Sequence, residues 1–389
     1  MNILLLNWTG GNNDPFTFGM TALKHELQLQ GKQVTIVDIE DPKWRSEVVE
    51  LMQEGVEYAI SNQGLASNFK VQAENEGETN LWDFLKVPLI CIHADHPCHN
   101  PVYHLSDSRY CAHLYVDRDF ARYSNKHFRR RYGAITIQTP TIFDEAPEDK
   151  FQGDHFVLMR NMQPTAQRMA NWESFGPHLS APLALTAQQI NDELGDRNSI
   201  DIHAILDERL IALGVAEKLV NSVAFHCLHA EIDMYYRNYK TEMLIKKLSD
   251  FPIHIHGAGW SDIPQSKAHK FLPGRNAADS KPLYYSNYGI LDISPSTFLH
   301  DRTIRAIHNN TSFLTDSQVP RVFSSSSNER SDMFYHVADD SLCNRLEAIV
   351  QNPKAHRESC RHFSALYKRQ YTAESYIDRL DLLARAMRG

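Results

Sequence analysis

Hydrophobic residues in this chain gather in short solid runs, and amphipathic stretches fill the spaces between them. Runs of that length suit strands buried on both faces. Residues 2–7 (NILLLN) predict a first strand, followed by a turn-rich loop at 9–15. An amphipathic helix at 18–30 comes next, with Met20, Leu23, Leu27 and Leu29 apolar and Gly31 just past its end. Residues 33–38 (QVTIVD) predict the second strand. The loop between these strands lacks the full Gly-x-Gly-x-x-Gly pattern and is not read as a dinucleotide site. Further strands are predicted at 58–61, running into Asn62-Gln63-Gly64, and at 87–93 (VPLICIH), running into Ala94-Asp95-His96-Pro97. Strands at 112–116 and 134–138 complete a six-stranded sheet whose polar strand ends would share one edge. A helix at 120–132 carries Lys126, Arg129, Arg130 and Arg131, read as a solvated face.

Residues 141–153 are acidic and predict a linker. A strand at 155–160 (HFVLMR) opens a second domain. Residues 163–250 are mostly helical by pattern, clearest at 201–213 and 220–248, more than a minimal α/β unit needs. Then come a strand at 251–256 (FPIHIH), a run with small residues at 282–296, a helix at 300–309 and a strand at 312–315. Serines at 324–327 predict a loop, and 340–350 and 354–387 predict helices. The expected domains are 1–150, 151–370 and a terminal helix at 371–389.

Length and composition agree with a two-domain globular protein. The chain has 389 residues, 42% hydrophobic and 23% charged, with formal net charge −8. An acidic balance argues against a general nucleic-acid binder. Six scattered cysteines without a Cys-x-x-Cys pair suit reduced thiols. The opening apolar run, Ile3 to Leu6, is too short for a signal peptide, and no stretch approaches the length of a spanning helix. The expectation is a cytoplasmic protein, with peripheral membrane contact left open.

Candidate chemistry lies in two places. The strand at 251–256 stops at Gly257 and Gly259, where backbone could approach a ligand. The helix at 300–309 follows the loop Ser294-Pro295-Ser296-Thr297, and its free N–H groups together with Arg302 suit a phosphate or diphosphate. The segment 93–99 is dense in titratable groups: His93, Asp95, His96, Cys98 and His99. Asp95 and His96 are the candidate bases, with Asp14 third. The same segment has ligand types that suit zinc, so a metal-dependent hydrolase stands as an alternative. His254 and His256 lie two apart on a strand and read as core histidines.

The second half resembles the CgeB-like glycosyltransferases of the GT-B class. The resemblance rests on Gly257-Ala258-Gly259-Trp260, Tyr284-Tyr285-Ser286-Asn287, Arg302-Thr303-Ile304-Arg305-Ala306 and Leu314-Thr315-Asp316, in that order. It fades in the N-terminal half. It implies two Rossmann-like α/β domains facing a central cleft, with a final helix crossing back to the first. It also implies transfer of a sugar from a nucleotide-sugar donor to an acceptor hydroxyl, without an obligatory metal or other cofactor. Donor contacts would come from Gly257, Gly259, Trp260, Tyr285, Ser286, Asn287, His300, Arg302 and Arg305. The glutamate that holds the donor ribose in that family falls at Arg305, which could instead bind phosphate. The acceptor would be a glycan, a lipid-linked group or a protein. A protein that binds sugar nucleotides without turnover is the remaining alternative.

Overall fold

The computed structural model describes residues 2–8, 15–73, 77–106, 108–128, 131–137, 140, 153–194, 200–215, 222–275, 280–285, 287–293, 299, 301–316 and 333–389. Asp14, Arg129, Arg130, Ser286, the loop 294–297, His300 and most of the predicted linker and the serine loop lie outside the described residues. The chain divides into two compact units, Met1–Glu145 with Lys368–Gly389, and Ala146–Tyr367.

The first unit is built on strands β1 (Asn2–Asn7), β2 (Gln33–Asp38), β3 (Val56–Asn62), β6 (Leu89–His93), β7 (Cys111–Tyr115) and β8 (Ile135–Thr136). They form one parallel sheet in the order β2-β1-β3-β6-β7-β8. All six predicted strands are present, β1 and β2 with the predicted ends and the other four with shifted ends. β1 is apolar from Ile3 to Leu6 because both of its faces are covered. Ile3 and Leu5 pack with Met20, Leu23 and Leu27 of the helix Pro15–Leu29 and with Tyr376, Ile377 and Leu380 of the helix Ala373–Arg388. Leu4 and Leu6 pack on the other face with Trp44, Val48 and Trp82. Asp381 ties the last helix to this sheet: it accepts from the Tyr58 hydroxyl at 2.6 Å and pairs with Lys32.

A small antiparallel hairpin, β4 (Lys70–Ala73) with β5 (Gly77–Asn80), was not predicted. The helix expected at 120–132 runs Arg118–His127 instead. Asp117 caps its start, accepting from the Asp119 amide at 2.6 Å.

The second unit holds β9 (Phe156–Met159), β10 (Ile253–His256), β11 (His269–Leu272), β12 (Gly289–Asp292) and β13 (Phe313–Thr315). The sheet is parallel, in the order β11-β10-β9-β12-β13. Strand order therefore reverses at β9, the arrangement that opens a crevice at the carboxyl ends of the strands. Helices Thr165–Trp172, Pro177–Glu193, Ile202–Ala212 and Val223–Lys247 fill the connection between β9 and β10, as the pattern at 163–250 predicts. Their apolar faces, with Trp172, Leu183, Leu206, Ile232 and Tyr235, join Phe156, Leu158, Ile253 and Ile255 in one core. Asp201 and Ser222 cap two of these helices. The C-terminal region forms helices Leu342–Gln351, Pro353–Gln370 and Ala373–Arg388. Among the described residues no helix is long and apolar enough to cross a membrane.

Candidate functional site

Charged residues mark the carboxyl end of the second sheet. Arg160 follows β9, Asp292 ends β12 and Asp316 follows β13. The helix Val223–Lys247 adds Asp233, Tyr236, Arg237 and Lys240, at the spacing that puts all four on one side of a helix. Asp233, Tyr236, Lys240, Asp292 and Asp316 are all buried. Buried charge persists only where it is paired, and these groups are paired. Arg237 Nε donates to Asp233 at 2.6 Å, and Lys240 bonds Asp316. The Asp292 carboxylate accepts from Thr303 Oγ1 at 2.7 Å and from Arg302 Nη1 at 3.4 Å. The Tyr335 hydroxyl donates to the Asp292 carbonyl at 3.0 Å.

The electrostatics show which sign of ligand this site suits. Burial pushes the Arg160 guanidinium down to about 9, and Arg302 and Arg237 add to that against Asp292 and Asp233. Burial is the main cause, and the neighbouring charges of both signs act on Arg160 together. Its Nε is buried without a hydrogen-bond partner among the described residues. An anion entering here would relieve both conditions. Burial opposes the charge on Arg302, but Asp292, Asp301 and Tyr284 outweigh it and raise its pKa. Arg302 is thus held as a cation, 27% exposed, above an Asp292 that is sealed at 1%. Burial also raises Asp316 to about 6 despite Lys240.

The two predicted glycines have a different reason from the one expected. A Cβ on Gly257 would meet the Arg160 carbonyl oxygen at 1.9 Å, and one on Gly259 would meet that of Met162 at 1.8 Å. The space beside them is filled by protein backbone, because the loops after β9 and β10 are laced together. Met162 N donates to Ala258 O at 2.9 Å, Ala258 N to Asn161 Oδ1 at 3.0 Å, and Trp260 Nε1 to Arg160 O at 2.9 Å. The glycines and Trp260 hold Arg160 in place. Gly259 also has φ +84°. Gly259→Ala is expected to cost more than ~2 kcal/mol, read as a lowered Tm, since it adds backbone strain to a backbone clash.

Tyr285, Asn287 and Arg305 turn inward. The Tyr285 hydroxyl bonds Asn309 Oδ1, the Asn287 amide bonds Leu283 O, and both residues are buried. Arg305 lies on the buried side of the helix Asp301–His308, not beside Arg302 at the rim. Of the predicted donor residues that are described, Arg302 alone is placed to meet a ligand at the sheet end. Arg160, Arg237, Lys240, Asp233, Asp292 and Asp316 escaped the sequence reading of the site. Their signal was present: the strands HFVLMR, GILD and FLTD each end in a charge.

In the first unit, Asp95 is exposed at the carboxyl end of β6 and accepts from Gln63 Nε2 at 3.0 Å. His96 is buried against Phe120 and Tyr123, with Nδ1 2.8 Å from Cys98 Sγ. His93 turns into the core, 2.8 Å from His113. His93 is the last residue of β6 and turns inward, whereas Asp95 and His96 lie in the loop that follows, one exposed and one packed on Phe120 and Tyr123. Asp95 is the exposed one of the three, while His93 and His96 are buried.

No family model and no curated protein matches the chain. Solved structures of T4 phage β-glucosyltransferase do. One, described for substrate binding and proposed catalytic mechanism, has TM-score 0.53 at 10% identity over 98% of both chains. The complex with UDP-glucose gives 0.52 at 10% identity over 98% of both chains. The complex with UDP and Mn²⁺ gives 0.54 at 9% over 99% of both. At such identity the likeness is one of fold. Two parallel α/β units, with this match over nearly the whole chain, give the protein a GT-B-like fold.

Proposed function

We propose that the chain is a glycosyltransferase of the GT-B class and CgeB-like kind. It would move a sugar from a nucleoside-diphosphate donor to an acceptor hydroxyl. The observation that carries this reading is Arg160 and Arg302 at the reversal point of the second sheet, with Arg160 Nε buried and without a hydrogen-bond partner among the described residues. When the glycosidic bond breaks, negative charge grows on the departing diphosphate. A preorganised guanidinium meets it without reorganisation. Arg302 supplies that charge at the rim, and Asp292 with Thr303 fixes its position. Arg160 adds a second positive charge that Arg302 feels. The reaction needs no metal in this account, since arginine does the work of charge neutralisation. One T4 complex contains UDP with Mn²⁺, so assays belong with and without EDTA. Complexes with UDP and UDP-glucose make uridine the first base to try.

Asp95 is the proposed base that takes the acceptor hydroxyl's proton in an inverting reaction. The acceptor is a glycan, a lipid-linked group or a protein. Release of nucleoside diphosphate from UDP-glucose and related donors, with an acceptor library, tests the reading. Asp95→Asn is expected to lower kcat by roughly 10²–10⁴ with donor affinity unchanged. Full activity in that variant would remove Asp95 from the chemistry. Donor binding without turnover under any acceptor would make the protein a sugar-nucleotide binder.

A further inference from the structure

Cys91 and His93 lie two apart on β6, and Cys111 and His113 lie two apart on β7. Residues two apart share a strand face. The register sets Cys91 beside His113 and His93 beside Tyr115. Two Cys-x-His pairs therefore occupy one face of adjacent strands. Exposure is 0% for Cys91 and His93, 4% for Cys111 and 1% for His113. The Sγ atoms of Cys91 and Cys111 are 3.5 Å apart, and Cys111 Sγ is 3.3 Å from His113 Nε2. The three donor atoms lie within 4.8 Å of one another.

These separations approach those around a zinc ion. Zn–S bonds of ~2.3 Å and Zn–N bonds of ~2.0 Å at tetrahedral angles set S···S at about 3.8 Å and S···N at about 3.5 Å. The outward nitrogen of His113, Nδ1, is 2.8 Å from His93 Nε2. A metal-ligating imidazole ordinarily makes such a bond with its other nitrogen, which fixes its tautomer. His93 is itself held by the rings of His104 at 4.2 Å and Tyr115 at 4.9 Å.

We propose that Cys91, Cys111 and His113 bind a divalent thiophilic metal ion of the zinc class, as a structural centre of the first unit. Both S–H bonds break on binding, two sulfur–metal bonds form, and two protons leave to solvent. His113 gives the lone pair of Nε2 and keeps its proton on Nδ1, directed at His93. Two thiolates and a 2+ ion make a neutral centre, which suits a dry core, whereas Cu⁺ would leave a net negative charge there. The fourth tetrahedral position is left to a small ligand such as water. The ion is too deeply buried to touch substrate, so this centre is independent of sugar transfer.

The test is elemental analysis of the whole chain purified without chelator, then refolding with Co²⁺ in place of zinc. About one zinc per chain is expected, with a thiolate-to-cobalt charge-transfer band after refolding. The band is read on the wild type, so it needs no variant to fold. Cys91→Ser with Cys111→Ser is expected to lose both metal and band, and His93→Phe to weaken metal affinity roughly 10- to 100-fold. Absence of zinc and of the cobalt band overturns the proposal, as does metal retained in the double variant. Copper in place of zinc overturns the divalent assignment. Fewer than the six free thiols, counted after denaturation in chelator, would replace the metal by a disulfide and equally overturn it.

Discussion

Arg302→Ala is expected to weaken binding of a nucleoside diphosphate by about 10- to 100-fold, the range of a lost charge-assisted hydrogen bond at ~1.5–3 kcal/mol. Affinity for the nucleoside without phosphate should not change, because the guanidinium meets only the diphosphate. The effect on turnover should exceed the effect on binding, since the diphosphate carries more charge as it departs. Titration calorimetry with UDP and uridine, on wild type and variant, reads the first two expectations. Arg302→Ala also leaves Asp292 without one of its partners, with Thr303 Oγ1 still bonded at 2.7 Å. Denaturation should accompany the titration for that reason. Arg302→Lys keeps the charge without the fork of donors and is expected to fall between the two. Equal affinities in wild type and alanine variant would remove Arg302 from the site.

Asp316→Ala is expected to be the costliest single change to stability. It strands the Lys240 ammonium, which is buried with its partner at 5% side-chain exposure each. Breaking a buried pair by removing one partner costs about 3–5 kcal/mol. Urea denaturation reads the loss. Lys240→Met with Asp316→Leu should recover most of it, because no charge is then left buried. The pKa directions support this. Burial raises Asp316 from 3.8 to about 6 even beside the ammonium, whereas at Lys240 the Asp316 and Tyr236 contributions outweigh burial and raise the pKa: burial wins at the carboxyl, pairing at the ammonium. Because the folded value lies above the unfolded one, the native state takes up this proton first. Its contribution to stability is full below 3.8 and falls as pH rises through about 6. Asp316→Asn should flatten that part of the pH profile. A stable, unshifted Asp316→Ala would mean that water reaches Lys240.

Why some of this was legible in the sequence and some was not follows from particular residues. β1 reads correctly because ILLL, Ile3 to Leu6, is buried on both faces, as a run of four apolar residues predicts. The helices at 201–213 and 220–248 read correctly because periodicity and the caps Asp201 and Ser222 agree. The strands KVQA and GETN escaped because a polar surface hairpin has no hydrophobic signature. HKFL, an edge strand, is short and mixed. The glycine pair also has a reason that the sequence does not display: a Cβ at either position would meet the backbone of the loop after β9. The charge that ends HFVLMR is visible in the sequence, but the three other segments that bring charge to Arg160 meet it only in the fold. Likewise Arg305 reads as Arg302's neighbour in sequence, yet one position is rim and the other core.

The most direct test of the central claim is calorimetric titration of the wild-type protein with UDP, GDP, ADP, CMP and dTDP, each with and without EDTA. One nucleoside diphosphate should bind and raise the Tm by the equivalent of roughly 2.7 kcal/mol at 100-fold over its Kd. That binding should survive EDTA. If no nucleoside diphosphate binds, with or without divalent metal, the cluster around Arg160 and Arg302 is a structural charge network and the proposal of sugar transfer is wrong.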